Sequence, residues 1–190
     1  MADKRLVIGI TGATGAVYGV RLLQVLAEQP EWETHLVVSS AGFVNLKHEL
    51  SLSRAQVHAL ADRHYHNQDI AAAIASGGFA TEGMIIAPCS MKTLAAVGHG
   101  FGDNLIARAA DVSLKERRRL LIMPRETPLN LAHIRNMAAV TEMGGIIYPP
   151  MPAFYQKTNS VQAMVDDAVG RILAMFGVTT QGLYTPWEGL

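Results

Sequence analysis

Short apolar runs of strand length alternate along this chain with longer segments in which apolar residues recur every three or four positions. Runs at Arg5–Ile10 (RLVIGI), Thr34–Ser39 (THLVVS), Gly83–Ala87 (GMIIA), Leu120–Met123 (LLIM) and Ile146–Tyr148 predict buried strands. Helical spacing is expected over Gly15–Glu28, the stretch into Leu50, Ser53–Asp62 behind a Ser53 cap, and Ser90 or Met91 to about Val97. Further helices are predicted from an Asp103 cap toward Lys115, over Leu131–Met143, and over Ser160–Phe176. His64–Gly78 reads as a crossover loop carrying a short alanine-rich helix. Such alternation predicts an α/β fold, a mostly parallel sheet with helices on both faces.

At 190 residues and 49% hydrophobic, residues 1–190 suit a single domain with one full core. Sixteen basic and sixteen acidic residues cancel, which removes the footprint expected for nucleic acid or an anionic membrane surface. The single cysteine, Cys89, excludes an intrachain disulfide and a cysteine-based zinc cage. With no recognisable leader, the reducing cytoplasm is the expected compartment, and the apolar runs are too short to span a bilayer. High hydrophobicity with only 6% aromatic residues and nine methionines points to apolar surface shared between subunits, hence to an oligomer.

Thr11-Gly12-Ala13-Thr14-Gly15 stands where the first strand meets the first helix, a place where exposed amides and the helix dipole favour an anion. A dinucleotide would call for an acidic residue or an arginine about 20 residues further on; Ser39 and Ser40 stand there instead. No tyrosine is followed four positions later by lysine, so the proton-transfer pair of short-chain reductases is missing. Hydroxyls at Ser39, Ser90 and Thr93 suit a mononucleotide at the ends of adjacent strands, and FMN fits best. Each serine alone also reads as an ordinary cap. His64 and His66 lack a third ligand at recognisable spacing, and no metal is expected.

Six blocks stand in order: TGATGAVYG (Thr11–Gly19), Pro88-Cys89-Ser90, Arg108-Ala109-Ala110-Asp111-Val112, Leu114-Lys115-Glu116-Arg117, Pro124-Arg125-Glu126 and Pro152-Ala153-Phe154-Tyr155. With them the sequence resembles the UbiX-like flavin prenyltransferases, in particular the branch associated with phenolic (hydroxyarylic) acid decarboxylase as its B subunit. The resemblance implies a flavodoxin-like, Rossmann three-layer sandwich assembling through trimers into a homododecamer. It implies an enzyme that joins dimethylallyl phosphate to reduced FMN, making the prenylated FMN used by a partner UbiD-like decarboxylase. Residue by residue, it implies FMN contacts at Gly12, Ala13, Thr14, Ser39, Ser90, Met91, Lys92, Thr93 and Arg125. Prenyl-phosphate contacts fall on Ser76, Lys115, Arg125, Tyr155 and Arg171, and the acidic active-site residues on Glu49 and Glu126. Thr14, Met91 and Ile70 depart from the usual serine, threonine and tryptophan at those places.

The implied chemistry breaks an allylic carbon–oxygen bond while phosphate leaves, which calls for fixed positive charge; Lys115, Arg125 and Arg171 can supply it. Glu49 and Glu126 are candidates to take protons, and Ser90 and Lys115 complete the catalytic set. Two alternatives stay open. One is an FMN-dependent decarboxylase of the cysteine-decarboxylase type, with His48 as its histidine, although Ser90-Met91-Lys92-Thr93 lacks that family's asparagine. The other is a non-catalytic flavin-binding subunit of a decarboxylase.

Overall fold

The computed structural model describes residues 4–180, 182–187 and 189. Six strands, β1 (Lys4–Ile10), β2 (Trp32–Val38), β3 (Arg63–His66), β4 (Gly83–Cys89), β5 (Arg119–Pro124) and β6 (Ile146–Ile147), form one sheet. Their order is β3-β2-β1-β4-β5-β6, and every neighbouring pair is parallel. Among the described residues seven helices accompany them, α7 following the last strand: α1 (Ala16–Leu26), α2 (Ser40–Leu50), α3 (Arg54–His58), α4 (Met91–Gly98), α5 (Leu105–Lys115), α6 (Leu131–Glu142) and α7 (Val161–Met175). The result is the expected flavodoxin-like three-layer sandwich, with a sheet that is wholly rather than mostly parallel.

The alternation of side chains along β1 divides the core. Leu6, Ile8 and Ile10 join α1, α7 and Ile85 on one face, while Val7 meets Met84, Ile106 and Leu94 on the other. Such two-sided burial explains why β1, β4 and β5 read as unbroken apolar runs. Gly19 lets α1 lie directly on the strands: a Cβ there would stand 2.5 Å from the Ala87 carbonyl oxygen and 2.7 Å from Ile10.

Three expectations need correcting. The crossover at 64–78 contains a strand as well as a 3-10 turn (Ala73–Ala75); β3 is the sheet edge, so its sequence Arg-His-Tyr-His is largely exposed and carries no apolar run. The Ser53-capped helix ends at His58, not Asp62, although Ser53 and Gln56 do form its reciprocal cap. Asn104, not Asp103, caps α5, its side chain accepting from the Ala107 amide, while Asp103 accepts from Asn104. The segment after Gly177 docks on its own chain: Val178 is buried, and Leu183 and Tyr184 lie over Gly170 of α7.

Asp62 holds the chain after α3 to the start of β2. Its Oδ2 accepts from the Thr34 amide at 2.7 Å and from the Thr34 hydroxyl at 2.8 Å, and its own amide donates to that hydroxyl. Burial pushes this carboxyl up, but the Thr34 bonds outweigh it and hold Asp62 below the ordinary aspartate value. A depressed pKa adds stability above the unfolded value that is lost as pH falls through the folded one. Asp62→Asn is therefore expected to cost about 1 kcal/mol at neutral pH, with the gap to wild type closing below about pH 4. Thermal melts from pH 7 to pH 3 check this.

Candidate functional site

In open parallel sheets, ligands bind beyond the carboxyl ends of the strands where the strand order reverses. Here that point lies between β1 and β4. The loop after β1 turns through Gly15, whose φ of 98° favours glycine. Gly12 and Thr14 are exposed on this loop, and Ala13 is buried. A Cβ on Gly12 would lie 2.4 Å from that of Ala41, so the loop rests directly on the start of α2. Ser39 caps α2 by accepting from the Gly42 amide at 3.0 Å, and its own amide donates to the Ile10 carbonyl. It thus sits beside the β1 loop.

Across the crevice, β4 ends in Cys89. Ser90 caps α4, accepting from the Thr93 amide at 3.4 Å and donating to the Thr93 hydroxyl at 3.2 Å. The ordinary capping role and a ligand-facing position are compatible for both Ser39 and Ser90, which remain half-exposed. Met91 and Thr93 are half-exposed and Lys92 exposed on the first turn. Cys89 is fully buried, and burial pushes its thiol far above the usual range, so it is no thiolate nucleophile.

Arg125 follows β5 directly, and its amide donates to the Cys89 carbonyl at 3.2 Å. None of the ion pairs among the described residues uses Arg125, Lys92 or Arg171. Glu126 is exposed and accepts from the Thr127 amide rather than pairing with an arginine.

Glu49 has a definite structural task. Its Oε2 accepts from the Gly15 amide at 3.0 Å and the Ala16 amide at 2.9 Å, capping α1 from the end of α2. The first amides of α1, expected to favour an anion, are thus taken by the protein's own carboxylate. The loop ahead of them, Gly12 to Thr14, and Ser39 remain clear of that carboxylate.

Arg171 lies on α7 near Tyr148, which follows β6. Burial raises the Tyr148 hydroxyl, with Arg171 pulling it down, and burial likewise raises Asp167 against the same arginine. Asp166, by contrast, accepts from Arg21 at 2.6 Å and ties α7 to α1. Tyr155 is exposed and meets Trp187 edge-on at 5.3 Å.

Ser76 and Lys115 do not join this group within one chain. Lys115 ends α5 just before β5 begins, and a Cβ on Gly77 would meet its Nζ at 2.6 Å. It pairs with Glu116, while Arg118 fastens the same loop through the Gly77 and Phe79 carbonyls. These residues stand at the amino ends of β4 and β5, where Gly83 pairs with Arg119. Ser90 and Arg125 stand at the carboxyl ends, about 20 Å away along the strand.

Two cavities border the crevice on the β2 side. One of about 620 Å³ runs along α2 past Phe43, Lys47, His48 and Arg54; the other, about 380 Å³, is lined by Phe43, His58, His64 and Tyr65. Neither includes Gly12, Ser90 or Arg125. Ile70 is exposed just after β3. Among the described residues no three His, Cys, Asp or Glu side chains gather as metal ligands, and no helix is long and apolar enough to cross a membrane.

The residue the sequence reading passed over is Thr11. It is buried, donates to the Pro88 carbonyl at 3.0 Å and receives the Ser90 amide at 2.7 Å. The only signal is a threonine directly after the first strand.

A family model described as Flavoprotein matches residues 1–173. The chain is 52% identical over 187 residues to the flavin prenyltransferase UbiX of Neisseria meningitidis, covering 98% of each. It superposes with a TM-score of 0.95 and 47% identity, over 99% of both chains, on a crystal structure of AnUbiX (PadA1) with FMN and dimethylallyl pyrophosphate. A dodecameric FMN-dependent UbiX-like decarboxylase from Escherichia coli O157:H7 matches with a TM-score of 0.94 and 48% identity, over 97% of this chain and all of that one. Near-complete coverage at this identity, with the glycine turn, the Ser90 cap and Arg125 meeting at one crevice, places the chain in the UbiX-like flavin prenyltransferases of the flavoprotein family.

Proposed function

We propose that this chain transfers a dimethylallyl group from dimethylallyl phosphate to reduced FMN, yielding prenylated FMN for a partner UbiD-like aromatic or phenolic acid decarboxylase in the cytoplasm. The observation that carries the reading is the crevice between β1 and β4: Ser39, Ser90 with its partner Thr93, and Arg125 follow the carboxyl ends of β2, β4 and β5, and Arg125 is a cation with no ion-pair partner among the described residues. A donor set of hydroxyls and exposed loop amides around one cation fits the phosphate and ribityl chain of a mononucleotide. Gly12, Ala13, Thr14 and Ser39 hold that phosphate, and Ser90, Met91, Lys92, Thr93 and Arg125 hold the ring end.

Reduced flavin, as the substrate, supplies nucleophilic N5 and C6. Arg125, Tyr155 and Arg171 of one chain, with Ser76 and Lys115 of another, neutralise the phosphate as its bond to the allylic carbon breaks and it leaves with the electron pair. Glu49, fixed by two amides of α1, and Glu126 are the carboxylates we assign to proton movement: one proton leaves N5 as its bond to the allylic carbon forms, one is returned to the prenyl double bond so that C6 can attack the tertiary carbon, and one leaves C6 to restore the ring.

The separation of Lys115 from Arg125 along β4 supports a site shared between copies. A head-to-tail contact of that kind closes into a ring when the rotation allows, which agrees with trimers building a homododecamer.

Anaerobic incubation of purified protein with reduced FMN and dimethylallyl phosphate, followed by mass spectrometry of the released flavin, tests the reading. A flavin heavier by one five-carbon unit is expected. Recovery of unmodified FMN, with neither the monophosphate nor the diphosphate donor consumed, would overturn it.

A further inference from the structure

We infer that Thr11 is a positioning residue for flavin prenylation, setting the place of Ser90 in the crevice; the inference rests on the function proposed above. Thr11 directly follows β1, and its hydroxyl uses both of its hydrogen-bonding capacities on the opposite lip. It donates to the Pro88 carbonyl at 3.0 Å and accepts from the Ser90 amide at 2.7 Å, the shorter of the two. The Thr11 amide donates to the same Pro88 carbonyl at 3.1 Å, extending the pairing of β1 with β4 past their last ladder partners.

At 1% exposure the Thr11 side chain cannot itself touch a ligand in the crevice. Ser90, one bond away, is half-exposed, and its hydroxyl is engaged with Thr93. The Ser90 amide is the first donor of the strand-to-helix turn, and it has no other partner among the described residues. Removing the Thr11 hydroxyl therefore leaves that amide unpaired beneath the crevice, while the Pro88 carbonyl keeps the Thr11 amide. The lip that moves is the one carrying Ser90, Met91, Lys92 and Thr93. The phosphate loop, Gly12 to Thr14, stays on α2 through the Gly12–Ala41 contact. Serine could make both bonds; valine, of the same shape, could make neither.

Thr11→Val is thus expected to bind FMN within about threefold of wild type, through the unchanged phosphate seat, and to shift the visible spectrum of the bound flavin. Its kcat for prenylation is expected to fall about tenfold or more, as reacting groups drift by a fraction of an ångström. Thr11→Ser is expected to restore spectrum and kcat together, which a loss of packing alone would not do. Thr11→Ala, lacking the same hydroxyl without an added methyl, serves if the valine variant does not fold. A folded Thr11→Val enzyme with wild-type spectrum and kcat within twofold would overturn the inference, as would equal losses in the serine variant. The spectral readout separates the two claims: a wild-type protein that never prenylates FMN sinks the proposed function, whereas the spectral change and its rescue by serine still report on Thr11.

Discussion

Mixing Lys115→Ala chains with Arg125→Ala chains in one assembly restores flavin prenylation that neither variant supports alone. Each single substitution removes a cation from the leaving phosphate, and the loss of one such group from a preorganised site costs about 100- to 1,000-fold in kcat. Lys115 and Arg125 lie at opposite ends of β4 and β5 in the same chain, so no bending of a side chain brings them to one phosphate. On the proposed assignment, a complete site takes Arg125 from one copy and Lys115 from its neighbour. In an equal mixture about one site in four receives both, because the contact joins unlike surfaces of the two copies. Co-expression with two different affinity tags, isolation of the mixed assembly and measurement of prenylated flavin checks the expectation. A mixed assembly as inactive as its parents would show that each chain completes its own site. The double variant Lys115→Ala/Arg125→Ala, mixed with wild type rather than with a single variant, gives the baseline for subunit exchange.

The same end-to-end separation shows where a sequence stops being informative. Apolar runs such as Met84-Ile85-Ile86-Ala87 announce strands buried on both faces, and the glycines after β1 announce the turn. Those signals are local, and the elements they predict are present. β3 escaped because an edge strand needs no apolar run; its Arg63-His64-Tyr65-His66 pattern follows from half its backbone facing solvent. Site residues were legible in the same measure. Gly12, Ser39, Ser90 and Arg125 each follow a strand, so their convergence follows from parallel topology alone. Glu49 bonds across 33 and 34 residues of sequence to the start of α1, and Thr11 across 79 to Ser90. Neither pairing leaves a periodic trace, and residue type alone does not reveal a buried hydroxyl that joins two loops. Lys115 belongs to a sequence block that marks the family and Ser76 to none, and the use proposed for both calls for a second copy.

Gly12→Ala is expected to weaken FMN binding about 10- to 100-fold while leaving the melting temperature nearly unchanged. The added methyl would meet the Ala41 methyl at 2.4 Å, far inside contact distance, and both atoms sit on backbone that has little room to rotate away. Ala41 is the second residue of α2, whose start is fixed by the Ser39 cap, so the β1 loop is the part that yields. Overpacking of this kind costs about 1–3 kcal/mol, and the loop that gives way carries the amides assigned to the flavin phosphate. Every 1.4 kcal/mol is tenfold in affinity, which sets the expected range. Core packing is untouched, since Gly12 is exposed and the buried neighbours Ile10 and Ala16 keep their places. Ala41→Gly removes the obstructing methyl, so the double variant Gly12→Ala/Ala41→Gly is expected to recover most of the lost affinity, a non-additivity that only contacting residues show. Fluorescence titration with FMN on the four proteins reads the cycle directly. Wild-type affinity in Gly12→Ala would mean that the phosphate is held elsewhere, and an affinity loss not relieved by Ala41→Gly would mean that the glycine serves the flavin by close approach rather than by clearing α2.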